Sequence, residues 1–198
     1  MKNKEIIKNK SSEEDIWNIP NTLTLMRVLI TFITIYFIFA GYDIVIIVIL
    51  FTVGMLTDFF DGQIARRYKL TTEFGRKFDV MADRFLMSGV AMAFIIDYSL
   101  NGSLTQHHIM QIILLMSREL IALPVAIIFL SSGKEITKVK RLGKITTAHQ
   151  GFTFPAIMLS ISYPLFSFSI YLALATSICG IASGLTFIND VIKNQEKK

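Results

Sequence analysis

The chain has 198 residues, enough for one domain, and 53% of them are hydrophobic against 18% charged. That balance, gathered into long apolar runs, excludes an ordinary soluble domain and indicates membrane spans. The net charge of +5 suits an anionic membrane surface or a phosphate-bearing substrate, and the single cysteine, Cys179, excludes an internal disulfide.

The chain opens with Lys2, Lys4, Lys8 and Lys10, but Ser11, Ser12, Glu13, Glu14 and Asp15 follow, so no signal peptide is read here. Residues 11–17 are predicted to form a short helix lying on the membrane, capped by Ser12, with Trp17 at headgroup depth. Six apolar stretches follow, at roughly 22–40, 44–60, 80–97, 109–131, 147–163 and 168–188. Each is near the ~20 residues a tilted helix needs to cross a bilayer. In lipid every backbone polar group must be satisfied within the segment, so these stretches are helices. Pro124 and Pro155 fall inside the fourth and fifth and are expected to kink them.

The basic residues orient the chain. Lysines precede the first stretch. Arg66, Arg67, Lys69, Arg76 and Lys77 lie between the second and third, and Lys134, Lys138, Lys140, Arg141 and Lys144 between the fourth and fifth. Lys193, Lys197 and Lys198 follow the last, whereas the connections around 41–43, 98–108 and 163–168 contain no Lys or Arg. The asymmetry places both termini and the basic loops in the cytoplasm. The expected fold is therefore all-α: one polytopic membrane domain over 1–198, with six transmembrane helices and an interfacial N-terminal segment over 1–19.

The segment joining the second and third stretches carries the chemistry. Asp58 and Asp61 are three residues apart, and Asp79 and Asp83 are four apart, so each pair shares a helix face. The chain turns between the pairs, so the two helices run antiparallel and the pairs can converge at one depth. Four clustered carboxylates repel one another and are costly near a bilayer. Two divalent cations would neutralise all four with the hard oxygen ligands such ions prefer. Paired metals also suit in-line phosphoryl displacement. Gly62, one turn after Asp58, and Gly75, one turn before Asp79, let a ligand or a neighbouring backbone come close. Arg66, a turn beyond Gly62, is placed to pair with a phosphate.

This run reads D-x2-D-G-x2-A-R-x8-G-x3-D-x3-D from Asp58 to Asp83 and resembles the signature of the CDP-alcohol phosphatidyltransferases at every specified position. The resemblance implies that an acceptor hydroxyl attacks the lipid-side phosphorus of a CDP-diacylglycerol-type donor and that CMP leaves. It implies two divalent cations, Mg2+ or Mn2+, with Asp58, Asp61 and Asp79 as metal ligands. It implies that Asp83 touches the second metal and acts as general base. It also implies that Gly62 and Arg66 contact the CDP moiety, that Thr72 and Gly75 lie beside it, and that the stretch from Asn21 to Thr24 lines the nucleotide site. A homodimer in the cytoplasmic membrane, its site facing the cytoplasm, is expected, and no nucleic-acid partner.

Three segments are similar to one branch of the family, whose acceptor is glycerol 3-phosphate: Asn18-Ile-Pro20-Asn21-x2-Thr24-x2-Arg27, Ser117-Arg118-Glu119, and Gly143-Lys144-x2-Thr147-x2-Gln150. Arg118, Arg141 and Lys144 are the candidates to hold the phosphate of that small phosphorylated alcohol. The chain departs from the branch at Phe78-Asp79-Val80-Met81-Ala82-Asp83, where a Leu-Asp-Pro-Leu-Ala-Asp run is common, and at Thr146, where a second lysine is common. Other family acceptors, those of a cardiolipin synthase or of an inositol-phosphate or archaeal-lipid transferase, are the alternatives. An ion carrier using intramembrane aspartates is the alternative from another class. It would need polar groups through both halves of the bilayer.

Overall fold

The computed structural model describes residues 19–68, 73–117, 119–121 and 141–196. All regular structure among them is helical. Helix α1 spans Ile19–Phe39, α2 Ile44–Tyr68, α3 Glu73–Leu100, α4 Gln106–Leu115, α5 Arg141–Ser160 and α6 Ser169–Glu196, with a 3-10 turn over Pro164–Phe168 leading into α6. The predicted interfacial helix at 11–17 lies outside the described residues, as does the later part of the fourth apolar stretch, from 122 to 131, including Pro124. Pro155 sits inside α5, which runs on through it to Ser160.

The connections follow from local chemistry. Gly41 closes α1 with φ +69°, a left-handed conformation that costs glycine nothing. Asp43 then starts α2, its Oδ1 accepting the N–H of Val45 at 2.8 Å. Gly102, at φ +67°, ends the next helix in the same way. Between α5 and α6, Pro164 begins the 3-10 turn, where its missing N–H is not needed.

Among the described residues, two helical segments are long and apolar enough to cross a membrane, Asn21–Phe39 with 19 residues and Pro164–Thr186 with 23, and Ile44–Thr57 is a shorter apolar one. The sides these helices bury are the stronger sign. On α1 the buried stripe is Asn21, Thr24, Arg27, Thr31, Thr34 and Ile38, repeating every three or four residues. Leu25, Met26, Leu29, Phe32, Ile33 and Tyr36 are exposed. Helix α6 likewise buries Ser169, Thr176, Ser177 and Ser183 and exposes Tyr171, Leu174, Ile178 and Leu185. Polar inside and apolar outside inverts the pattern of a water-soluble core and fits a surrounding solvent of lipid. The buried threonines are satisfied by their own helix: Thr31 and Thr34 donate to the carbonyls of Arg27 and Ile30, each at 2.8 Å.

The described chain forms two compact units. One takes in α1 and Ile49–Ala93, and the other Tyr42–Val48 and the chain from Phe94 onward. In the first, α1, α2 and α3 meet at small residues. A Cβ on Gly54 would lie 3.2 Å from both methyls of Leu86 and 3.5 Å from a methyl of Ile30, so glycine lets three helices close on one point. Phe51, Leu86, Met87 and Val90 are buried in the same unit.

The second unit packs α4, α5, α6 and the 3-10 turn. Buried polar side chains join its helices. Ser169 donates to Gln111 Oε1 at 3.1 Å, Thr153 and Thr176 share a hydroxyl bond of 2.9 Å, and Thr146 donates to the carbonyl of Cys179 at 3.2 Å. Bonds of this kind, each worth about 0.6 kcal/mol in a membrane, set helix register where apolar burial cannot.

Candidate active site

Helix α2 carries positions 58 and 61 on its last turns, and α3 carries 79 and 83 on its first turns. Each pair therefore shares a helix face, as its spacing predicts. The side chains of Asp58, Asp61, Gly62 and Arg66 lie outside the described residues, and so does the whole of Thr72.

Arg27 links α2 and α3 at Thr57 and Asp79. Its side chain is wholly buried, 0% exposed, on the polar stripe of α1. Nη1 donates to Asp79 Oδ1 at 2.9 Å, and Nε makes a longer contact of 3.4 Å with Thr57 Oγ1. Thr57 precedes Asp58 directly, so one guanidinium touches α2 beside its first aspartate and α3 at its own. Thr57 is held in turn, its hydroxyl donating to the carbonyl of Gly54 at 2.6 Å. Helices α2 and α3 thus come within one side chain of each other at Thr57 and Asp79. Arg27 was visible only as part of a matching stretch. Nothing in its spacing tied it to a residue 52 positions away.

Asp79 keeps 39% of its side chain exposed, so the ion pair covers one side of the carboxylate and leaves the other accessible. Asp83, one turn further along, is half-buried, with Oδ1 shielded from solvent. Among the described residues no three His, Cys, Asp or Glu side chains come together as a metal cluster, since half of the expected set lies outside them. The donor chemistry that is described fits a hard divalent cation: carboxylate oxygens a turn apart, one accessible and one shielded. Asn21 and Thr24 are buried on the same face of α1 as Arg27, six and three residues before it. Gly75 is buried one turn before Asp79.

Two of the three segments that resemble the glycerol 3-phosphate branch, those beginning at Ser117 and at Gly143, meet in the other unit. Gln150, 1% exposed on α5, donates through Nε2 to Glu119 Oε2 at 2.7 Å and to the carbonyl of Leu115 at 2.9 Å. The run beginning at Ser117 and the run ending at Gln150 are therefore bonded neighbours. Arg118 and the side chains of Arg141 and Lys144 lie outside the described residues, although positions 141 and 144 fall on the first turn of α5. Thr146 is wholly buried against α6, so the position where the branch often has a lysine faces a helix contact in this chain. His149 is exposed on α5. His108 belongs to the loop side of α4, where burial and the neighbouring His107 lower its pKa and keep the ring neutral at pH 7.

Comparison with known proteins agrees with this architecture. Residues 17–181 match the family model described as CDP-alcohol phosphatidyltransferase. The chain is 31% identical to the CDP-diacylglycerol–glycerol-3-phosphate 3-phosphatidyltransferase of Rickettsia typhi over 146 residues, 72% of this chain and 76% of that protein. The enzyme of the same name from Rickettsia prowazekii matches at 31% over 146 residues, 72% of this chain and 75% of its own length. That from Escherichia coli K12 matches at 33% over 84 residues, 41% of this chain and 46% of its own. A transferase is thus supported, and the ion-carrier alternative is not. With the family model matching most of its length, and with the two helices that bear the signature linked by Arg27, the chain belongs to the CDP-alcohol phosphatidyltransferase family.

Proposed function

We propose that this membrane enzyme transfers the phosphatidyl group of CDP-diacylglycerol to glycerol 3-phosphate, releasing CMP and forming phosphatidylglycerophosphate, at the cytoplasmic face of the cell membrane. One observation carries the reading: Arg27 contacts both Thr57, beside Asp58, and Asp79, so the two halves of the acidic signature have a common meeting point. The glycerol 3-phosphate acceptor rests on the names of the relatives and on the bonded pair Glu119–Gln150, which links the two segments that carry the acceptor candidates.

Asp58, Asp61 and Asp79 would hold two divalent cations, Mg2+ or Mn2+, with Asp83 completing the second site. When bound, the cations polarise the pyrophosphate and stabilise the departing CMP. Asp83 takes the proton of the acceptor hydroxyl, which is a poor nucleophile until that proton is removed. Asn21, Thr24, Gly62, Thr72 and Gly75 bound the nucleotide, and Arg66 pairs with its phosphates. Arg118, Arg141 and Lys144 hold the acceptor's own phosphate. Six spans with both termini cytoplasmic, assembled as a homodimer, complete the proposal. The exposed apolar faces of α1 and α6 and the charge asymmetry of the loops support the membrane topology.

The test is CMP release by purified protein given CDP-diacylglycerol and a panel of acceptors. Glycerol 3-phosphate should be used at least about a hundredfold better than inositol phosphate or phosphatidylglycerol, since a buried site built for one polar group strongly rejects ligands that leave it unpaired. Equal or better use of another acceptor would reassign the acceptor. No CMP release with any acceptor would overturn the reaction itself.

A further inference from the structure

We propose that Arg27 is a built-in counterion for the acidic cluster: a positioning residue that holds Asp79, substitutes for part of the metal charge when the site is empty, and thereby weakens metal binding. The inference rests on the reading of Asp79 as a metal ligand, which it extends by giving the site a fixed internal cation.

The geometry points to this in three ways. Arg27 is wholly buried in the most apolar described helix, where a charge survives only if it is paired. The Asp79 carboxylate is a partner at 2.9 Å, and Nε also reaches Thr57 Oγ1 at 3.4 Å. A guanidinium does not lose its proton in a protein, so this positive charge is permanent. Four ionised aspartates carry a formal charge of −4, and Arg27 reduces that to −3 before any metal arrives. Two divalent cations then bring the site to +1, a charge suited to a pyrophosphate ester.

Two consequences follow from electrostatics. Without metal, Arg27 relieves repulsion within the cluster and ties α1 to α3. With metal, the guanidinium and the cations share Asp79 and repel each other. Removing the guanidinium charge should therefore make the empty protein less stable and the metal tighter. A residue that merely bridged two helices would give the first effect without the second.

Arg27→Gln and Arg27→Met test this, with Arg27→Lys as the charge-preserving control. Thermal unfolding of the purified full-length protein is followed in EDTA and over a titration of Mg2+ and Mn2+, and bound Mn2+ is counted directly by electron paramagnetic resonance. In EDTA the neutral variants should unfold about 10 °C below wild type, as for loss of a buried ion pair in a chain of this size. Saturating metal should return most of that loss, so their metal-dependent rise in Tm should be at least about twice that of wild type. Mn2+ should bind them at least about tenfold more tightly. Arg27→Lys should stay within about threefold of wild type in Mn2+ affinity, because it keeps the charge. An unchanged or smaller metal-dependent rise in the neutral variants, or variants that do not fold even in saturating Mn2+, would overturn the counterion role. If neither cation stabilised the wild-type protein, the metal reading would fall, and the counterion with it.

Discussion

Gly54 offers a steric test of how the three site-bearing helices meet. It lies one turn before Thr57, whose hydroxyl donates to the Gly54 carbonyl at 2.6 Å, so any shift of α2 at Gly54 is passed on to the residue that Arg27 touches. A Cβ here would stand 3.2 Å from both Leu86 methyls and 3.5 Å from Ile30 Cγ2, against the ~3.5–4.0 Å of ordinary carbon contact. Leu86 is wholly buried, so moving one methyl away presses the other into the core. For Gly54→Ala the overlap is a few tenths of an ångström. Its cost is offset by the helix-propensity gain of up to ~1 kcal/mol, leaving a net change near zero. Gly54→Val adds two further methyls with nowhere to go, an overpacking cost of about 1–3 kcal/mol. At roughly 2–4 °C per kcal/mol in a chain of this length, Tm should fall by about 2–12 °C. Displacing the aspartates of α2 by about 1 Å relative to α3 should lower CMP release about a hundredfold. Both are read on detergent-purified protein, by thermal unfolding and by CMP release from CDP-diacylglycerol. If Gly54→Val kept wild-type Tm within a degree and wild-type turnover, the three helices would not close at this point.

Three further outcomes are expected. Asp83→Asn should lower turnover by about 10²–10⁴-fold, the usual range for loss of a general base, while KM for CDP-diacylglycerol changes only a few-fold. A fall in affinity at unchanged turnover would instead assign Asp83 to binding. Gln150→Leu removes one bond to a carboxylate and one to a carbonyl, worth about 1–3 kcal/mol together in a membrane setting. It should lower Tm by several degrees and raise KM for glycerol 3-phosphate more than KM for the lipid donor. Equal effects on both substrates would separate this pair from the acceptor site. Stringent chelation should abolish CMP release, and Mg2+ or Mn2+ should restore it. Full activity in chelator would end the two-metal proposal.

Much of this protein could be read along a single dimension. Apolar runs near the bilayer thickness located α1 and α6, and most of α2, because span length is a local requirement imposed by lipid. The acidic signature was equally legible, since residues three and four apart must share a helix face wherever that helix is placed. Helices α3 and α5 extend beyond the apolar stretches that announced them. Their first turns carry Arg76, Lys77, Arg141 and Lys144, which hydropathy excludes although the backbone remains helical.

Tertiary structure alone decided which side of each helix turns inward. An apolar helix with polar residues every three or four positions has two candidate faces, and only packing against neighbours buries Thr24, Arg27 and Thr31 while leaving Leu29 and Phe32 outside. It alone decided that Arg27 meets Asp79 and that Gln150 meets Glu119, because partners 52 and 31 positions apart are chosen by helix register and closeness of approach. Composition required a helical membrane protein, and spacing required paired carboxylates. That Arg27 stands beside Asp79 came from how α1, α2 and α3 pack in three dimensions.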